Sequence, residues 1–288
     1  MKAMILAAGL GTRLRPLTND RPKALVTLAG RTLLEITLAR LRTFGVTEVI
    51  VNTHHHADQI AEYLAAHQNF GMRIEISPEP NLLDTGGGLN KAAPFFLSNL
   101  DSGSGPAKDA PCPIHSQPHR EWVGNPESGE AALVVKADNA QDEPFLLHNV
   151  DVLSTIDLCR MIEFHNQHHA IATLAVQERP TSRYLLFDES GELCGRRAGL
   201  DGSPELVRPA SAPQAFAFSG IHVLSPRIFS KITEQGAFSI IDCYLRLAAT
   251  GQNILAFRAD DSYWRDLGRP QSIQQAEQDI ENNQLPEA

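Results

Sequence analysis

An apolar stretch, Met1 to Ala8, runs straight into a loop that carries Gly9, Gly11, Pro16 and Pro22 together with Arg13, Arg15 and Lys23. No other segment restricts the fold as tightly. A strand apolar along its whole length belongs inside a parallel sheet with helices on both faces. Small residues directly after such a strand let the backbone approach a ligand closely, with N–H groups facing a phosphate or a base. The three cations fall within eleven residues of a chain whose 34 acidic and 25 basic side chains leave a net charge of −9. The positive charge is therefore local. Guanidinium forks match phosphate oxygens and a lysine supplies a point charge, so a triphosphate is the natural target. The overall acidity excludes a nucleic-acid-coating role.

The rest of the chain repeats the strand–helix alternation. Leu34, Leu38 and Leu41 mark one face of a helix that Gly45 ends. Thr47 to Asn52 reads as a strand, Ile60, Tyr63 and Leu64 stripe a second helix, and Met72 to Ser77 is a third strand. A helix is expected from about Gly87 to Phe96. From Asp101 to Pro144 clustered Gly, Pro, Ser and Asp surround one apolar run, Ala131 to Val135, which reads as an inserted loop. Phe145 to Val150 resumes the buried sheet, followed by a helix over Asp157 to His165 and a strand over Ile171 to Gln177. Tyr184 to Phe187 and Glu192 to Arg196 flank the turn Asp188-Glu189-Ser190-Gly191 as a hairpin. Ala215 to Leu224 is a strand, Ile240 to Ala249 a helix and Asn253 to Ala259 a strand. Pro270 opens a last helix with Ile273, Ala276 and Ile280 inward.

Other phosphate loops fit poorly. A dinucleotide fingerprint G-x-G-x-x-G fits Gly9 and Gly11 but meets Leu14 at its third glycine, and no Walker A string or G-x-S-x-G elbow occurs. The ordered string Gly9-Leu10-Gly11-Thr12-Arg13-Leu14-Arg15-Pro16-Leu17-Thr18, with Pro22-Lys23, resembles the signature of the sugar-1-phosphate nucleotidylyltransferases. Ala24 and Thr27 stand where that family commonly has prolines, which leaves the lysine in place in a less rigid loop. Asp84-Thr85-Gly86-Gly87-Gly88 resembles the family's glycine-rich turn beside the nucleobase. Asn149-Val150-Asp151 resembles the segment with a metal-binding Asp after a buried strand, with Val150 where glycine is common. Phe218-Ser219-Gly220-Ile221 resembles the strand lining the sugar pocket, and Trp264-Arg265-Asp266-Leu267-Gly268 the segment that supplies a second metal-binding Asp.

The resemblance covers nearly the whole chain apart from the insertion. It implies one nucleotidyltransferase domain over residues 1–288, with an inserted loop at about 101–144. The implied fold is a Rossmann-like three-layer α/β/α arrangement with a mixed, mostly parallel sheet and no C-terminal β-helix. It implies an enzyme that joins a sugar 1-phosphate to a nucleoside triphosphate and releases pyrophosphate. Within the family the likeness is to N-acetylmuramate-1-phosphate uridylyltransferases, then to mannose-1-phosphate guanylyltransferases and glucose-1-phosphate enzymes. A nucleotide-sugar-binding regulatory subunit without turnover is the alternative from another class.

Such chemistry needs charge neutralisation and in-line alignment more than covalent help. Mg2+ is the implied cofactor, with Asp151 and Asp266 as ligands; the alternative for Asp151 is an Asx turn or helix cap before Leu153, and for Asp266, without the resemblance, a capping role. Arg13 is assigned to the β/γ-phosphates and Lys23 to the α-phosphate, while Arg15 either assists or pairs with a carboxylate. Leu6, Ala7, Ala8, Gly9, Gly11 and Thr12, with Thr85, Gly86, Gly87 and Asn149, are expected around the nucleotide. Glu79 is a candidate acceptor for a base N–H. Gly220 permits close approach of the sugar, and Arg183 either reaches the sugar phosphate or stands in solvent.

Two histidine groups compete for attention. His54-His55-His56 lies at the expected ligand edge, and His165 with His169 has helical metal-ligand spacing, but neither has a third ligand at suitable spacing. Cys112, Cys159, Cys194 and Cys243 are scattered, as free thiols in a reducing cytoplasm would be. The apolar N-terminus is too short for a signal peptide and no run reaches a membrane span. The expected partners are therefore small molecules in the cytoplasm, with no nucleic acid, no membrane and no oligomeric state fixed.

Overall fold

The structure, a computed structural model, describes residues 1–98 and 143–282. Most of the expected insertion, including its apolar run, lies outside the described residues. In chain order the elements are β1 (Lys2–Leu6), β2 (Thr27–Leu28), β3 (Arg31–Thr32), α1 (Leu33–Thr43), β4 (Glu48–Thr53), α2 (Ala57–Ala66), β5 (Arg73–Pro78), α3 (Asp84–Lys91) and α4 (Ala93–Leu97). There follow β6 (Phe145–Asn149), β7 (Val152–Ser154), α5 (Leu158–Gln167), β8 (Ala172–Gln177), β9 (Arg183–Phe187), β10 (Leu193–Ala198), β11 (Glu205–Leu206) and β12 (Gln214–Leu224). The chain continues with α6 (Ile240–Ala249), β13 (Ile254–Arg258), β14 (Trp264–Asp266) and α7 (Pro270–Glu281).

Ten strands form one mixed sheet in the order β11-β10-β9-β12-β6-β1-β4-β5, with β8 beside β12 and β13 beside β8. Strands β6, β1, β4 and β5 are parallel, as are β8 and β13, while β12 runs antiparallel to β6, β8 and β9. The mixed sheet is the expected one, with its parallel part concentrated around β1. Side chains alternate across β1: Ala3 and Ile5 join one apolar cluster and Met4 the other. Both faces are therefore covered, which gives the three layers.

Local signals explain several boundaries. Thr32 Oγ1 accepts from Glu35 N at 3.1 Å to cap α1, and Leu34, Leu38 and Leu41 are fully buried on its inner face. Asp157 Oδ1 caps α5 through Arg160 N, and Pro270 opens α7. In the β9–β10 turn, Asp188 Oδ1 accepts from the backbone N–H groups of Ser190 and Glu192. Two expectations change. The Asp84–Gly88 segment is the start of helix α3 rather than a turn, and α4 is a separate short helix with a proline in its first turn. The free-thiol reading holds for Cys194 and Cys243 but not for Cys159, which is disulfide-bonded; Cys112 lies outside the described residues. Among the described residues no helix is long and apolar enough to cross a membrane.

Two histidines are sealed in the sheet. His222 Nδ1 and Tyr244 Oη are 2.8 Å apart, and burial, then the neighbouring His148, pushes the His222 pKa down to about 3. His148 is held down to about 4 by burial and then by Arg40. Each folded pKa lies below the unfolded value of about 6.5. Their contribution to stability is therefore complete above that value and is lost as pH falls from it toward 4 and below, because the unfolded chain takes up the protons first. The midpoint of urea unfolding should drop steadily between pH 7 and pH 5, above the range where carboxylates dominate. A flat profile there would contradict the burial of two neutral imidazoles.

Candidate active site

The C-terminal end of β1 is tied to both neighbouring strands. Ala7 N–H donates to Asn52 Oδ1 of β4 at 2.7 Å, and Val150 N–H, just past β6, donates to Leu6 O at 3.2 Å. From β1 the chain crosses first to β4 on one side and later to β6 on the other. The crevice above these strand ends is thus a topological switch point, where open α/β sheets bind ligands.

The loop after β1 folds back on itself. Gly11 has φ +63, and a Cβ there would lie 3.0 Å from Thr18 Cγ2 and 3.3 Å from Lys23 Cβ, so glycine is required. Its carbonyl accepts from Thr18 Oγ1 at 2.8 Å and from Leu14 N at 2.9 Å. Leu14 is buried and pins the turn, while Gly9, Thr12, Arg13 and Arg15 are exposed or partly exposed toward the mouth. The fold-back brings Lys23 beneath Gly11, where its Nζ forms an ion pair with Asp151 Oδ2.

Asp151 is buried just after β6, and its carbonyl accepts from Leu267 N at 2.8 Å. Strands β7 and β14 pair antiparallel, with Asp266 opposite Val152, so the two acidic segments are held side by side. Asp266 Oδ1 accepts from Gly268 N at 2.8 Å. Gly268 marks the convergence. A Cβ at that residue would lie 2.7 Å from Asp266 Oδ1, 2.8 Å from Arg13 Nη2 and 3.3 Å from Asp151 Oδ2. Arg13, Lys23, Asp151 and Asp266, separated by up to two hundred and fifty residues of sequence, therefore meet around one point.

Nothing in the sequence singles out Arg179. Strand β8 runs parallel to β6, so the residues that follow it reach the same sheet edge. Arg179 Nη2–H donates to Phe218 O at 2.8 Å, and its guanidinium lies 3.5 Å from the centroid of the Trp264 ring. Burial lowers its pKa to about 10 against the opposing pull of Asp266. The only available sequence signal was an arginine before Pro180 at the end of a buried strand. Arg183, by contrast, is exposed at the start of β9.

Beside β6, Gly220 has φ +75 at a register shift in β12. A Cβ there would lie 2.8 Å from Asn149 Nδ2 and 2.9 Å from Val152 Cγ2, which places Gly220 against Asn149.

On the other side of β1, Glu79 is buried with both oxygens engaged: Oε1 accepts from Asn52 Nδ2 at 2.8 Å and Oε2 from Leu83 N at 3.0 Å. Asn52 thus links the start of the phosphate loop to the entry of α3. Thr85 Oγ1 accepts from Ile240 N at 3.0 Å, and Gly86 N donates to Phe238 O at 2.9 Å. Side chains at Gly86 and Gly87 would run into Phe238 and the Gly236 carbonyl, so these glycines seat α3 against the segment before α6. Asn52→Leu leaves the Ala7 N–H and one Glu79 oxygen without their partner. The expected cost is about 2–4 kcal/mol in urea unfolding, one or two buried polar groups left unmade; a loss under about 0.5 kcal/mol would show that the link is slack.

The histidine groups take local roles. His54 Nδ1 lies 2.6 Å from Glu79 O, His55 and His56 are in ring contact, and buried His165 pairs with Thr173 Oγ1 at 2.9 Å. Among the described residues no set of three or more His, Cys, Asp or Glu side chains is arranged to hold a metal. The Asp151–Asp266 pair suits a different pattern: a hard cation held by two carboxylates and completed by substrate phosphates.

Comparison with known proteins identifies the family. The model of the nucleotidyl transferase family matches residues 2–101 and 117–283. The N-acetylmuramate alpha-1-phosphate uridylyltransferase of Caulobacter vibrioides is 31% identical over 284 residues, which cover 96% of this chain and 95% of that protein. The enzyme of the same name from Neisseria meningitidis is 26% identical, over 96% of this chain and 97% of its own. The crystal structure of a UDP-glucose pyrophosphorylase complexed with UDP-glucose superposes with a TM-score of 0.67 at 16% identity, covering 98% of each chain. That last likeness carries the fold alone. From the family match and the nearly full-length relative at 31% identity, the chain belongs to the nucleotidyl transferase family.

Proposed function

We propose that the chain transfers the uridylyl group of UTP to N-acetylmuramate 1-phosphate, giving UDP-N-acetylmuramate and pyrophosphate. The observation that carries the reaction class is the meeting of Arg13, Lys23, Asp151 and Asp266 around Gly268. The choice of sugar and base rests on the two uridylyltransferase relatives.

In this reading a phosphate oxygen of the sugar 1-phosphate attacks the α-phosphorus of UTP, and the bond to the bridging oxygen of pyrophosphate breaks in line. Both reactants are anions, so their approach must be neutralised. Asp151 and Asp266 would hold Mg2+, which when bound would supply charge neutralisation toward the phosphoryl oxygens. Arg13 takes the β- and γ-phosphates and the departing pyrophosphate. Lys23 leaves Asp151 for the α-phosphate, so the ion pair keeps both groups in place until the nucleotide separates them. Arg179, stacked on Trp264 and beside Asp266, takes the sugar phosphate in preference to Arg183. Gly220 and Asn149 border the sugar, and the backbone from Leu6 to Thr12 borders the nucleotide. Glu79 acts through Asn52 and Leu83 in holding the base side of the site.

Pyrophosphate release is measured with Mg2+ across UTP, GTP, dTTP, CTP and ATP, each with N-acetylmuramate, mannose, glucose and N-acetylglucosamine 1-phosphates. UTP with N-acetylmuramate 1-phosphate should give the highest kcat/KM. Preference for GTP with mannose 1-phosphate would replace the substrate assignment, and no release from any pair would favour a non-catalytic binding subunit.

A further inference from the structure

Strand β14 is only three residues long and pairs with one equally short strand, β7. A ribbon of that size has little stability of its own, so the aim of its side chains depends on what anchors them. Successive side chains on a strand point to opposite faces. Trp264 and Asp266 share the site face: Trp264 lies under Arg179 and donates from Nε1 to Ser219 O at 2.7 Å, and Asp266 reaches the convergence at Gly268. Arg265, between them, points away, toward α7.

On α7, Asp279 is buried and receives four hydrogen bonds. Oδ2 accepts from Tyr263 Oη at 2.6 Å and from Arg265 Nη2 and Nε at 2.6 and 3.1 Å, and Oδ1 accepts from Gln275 Nε2 at 3.1 Å. Arg265 Nε also donates to Tyr263 Oη at 2.8 Å, which closes a triangle of Tyr263, Arg265 and Asp279. Bonds to a charged acceptor are short and directional, so this triangle holds the back of β14 more firmly than apolar packing could.

We propose that Asp279 of the terminal helix is a positioning residue for Asp266, fixing the carboxylate that faces the metal by clamping its neighbour Arg265 from behind. The proposal rests on the reading in which Asp266 is a metal ligand. Asp279 touches no reacting atom; it sets the direction of the strand that carries one. Groups hydrogen-bonded directly to metal ligands typically contribute 10–100-fold to metal affinity or rate; Asp279 acts through the ligand's neighbour, so the lower end of that range is expected.

The test uses the full chain as Asp279→Ala, Asp279→Asn, Arg265→Lys and Asp266→Ala. Mn2+ binding in the presence of UTP is followed by electron paramagnetic resonance, alongside pyrophosphate release against Mg2+ concentration and thermal melting. Asp279→Ala should weaken Mn2+ binding and lower kcat by about 10-fold, and Asp279→Asn, which still offers one acceptor oxygen, should recover most of both. A folded Asp279→Ala with the Mn2+ affinity and kcat of the parent overturns the proposal. If Asp279→Ala does not fold, Arg265→Lys decides, because it keeps the charge opposite Asp279 but cannot make the two guanidinium contacts that form the clamp. That variant should lose Mn2+ affinity by roughly threefold or more at unchanged fold, and unchanged affinity overturns the proposal. Unchanged Mn2+ binding in Asp266→Ala would instead remove the metal-ligand reading beneath it.

Discussion

Replacing Asp151 with alanine should lower kcat by on the order of 10³ or more, with a smaller change in KM for the sugar 1-phosphate. Loss of one group aimed at transition-state charge typically costs 10²–10³ in rate, and Asp151 is asked to do more than one such group. In the free protein it neutralises Lys23, whose side chain is only 14% exposed. In the proposed complex it holds the metal that lets two anions meet. Its removal leaves a largely buried ammonium without a partner, so a stability loss of about 3–5 kcal/mol should accompany the catalytic one. Asp151→Asn separates the two effects, since the amide retains the shape and can accept a hydrogen bond but cannot supply the charge. Its kcat should fall nearly as far as that of the alanine variant. Turnover within tenfold of the parent in either variant would contradict the role assigned to this carboxylate.

Gly268→Ala should cost about 100-fold in kcat while leaving the melting temperature nearly unchanged. The backbone at Gly268 is outside the left-handed region, so alanine introduces no φ strain. What it introduces is a methyl carbon 2.7 Å from Asp266 Oδ1, 2.8 Å from Arg13 Nη2 and 3.3 Å from Asp151 Oδ2. All three are ends of side chains that can move aside, so the fold survives. They move away from the point where they converge, and misplacement of reacting groups by about 1 Å can cost 10² in rate. Gly268→Val should be more severe. An alanine variant with parental kcat would mean that the three groups do not act on the substrate from the positions they hold here.

Much of this site could be read in the chain itself. The apolar run before Gly9 specified a strand with a glycine loop after it, and the buried strand before Asp151 placed that carboxylate at the same edge as Lys23. Helices with a clean apolar stripe, such as α1, followed from periodicity alone. Other parts left no local trace. Helix α3 carries three consecutive glycines, Gly86 to Gly88, which have the weakest helix propensity after proline. They are there because Phe238, the Gly236 carbonyl and Glu79 leave no room for a Cβ, a condition set by tertiary packing. Strands β7 and β14 are too short to show a period of two, so the pairing that carries Asp266 to Asp151 was visible only through resemblance. Arg179 is one arginine among many in the sequence, and its separation from exposed Arg183 required the sheet edge and the Trp264 ring. Nothing in the sequence says that Asn52 and Leu83 each donate to one oxygen of Glu79.

The most direct test is a crystal structure of the chain with a non-hydrolysable UTP analogue and Mn2+, recorded at a wavelength that reveals the manganese by anomalous scattering. The manganese peak should lie between the Asp151 and Asp266 carboxylates, with Arg13 on the β- or γ-phosphate and Lys23 turned from Asp151 to the α-phosphate. A nucleotide bound elsewhere on the chain, or a triphosphate that leaves the Lys23–Asp151 pair intact and Arg13 in solvent, would contradict the convergence of these four side chains on one substrate.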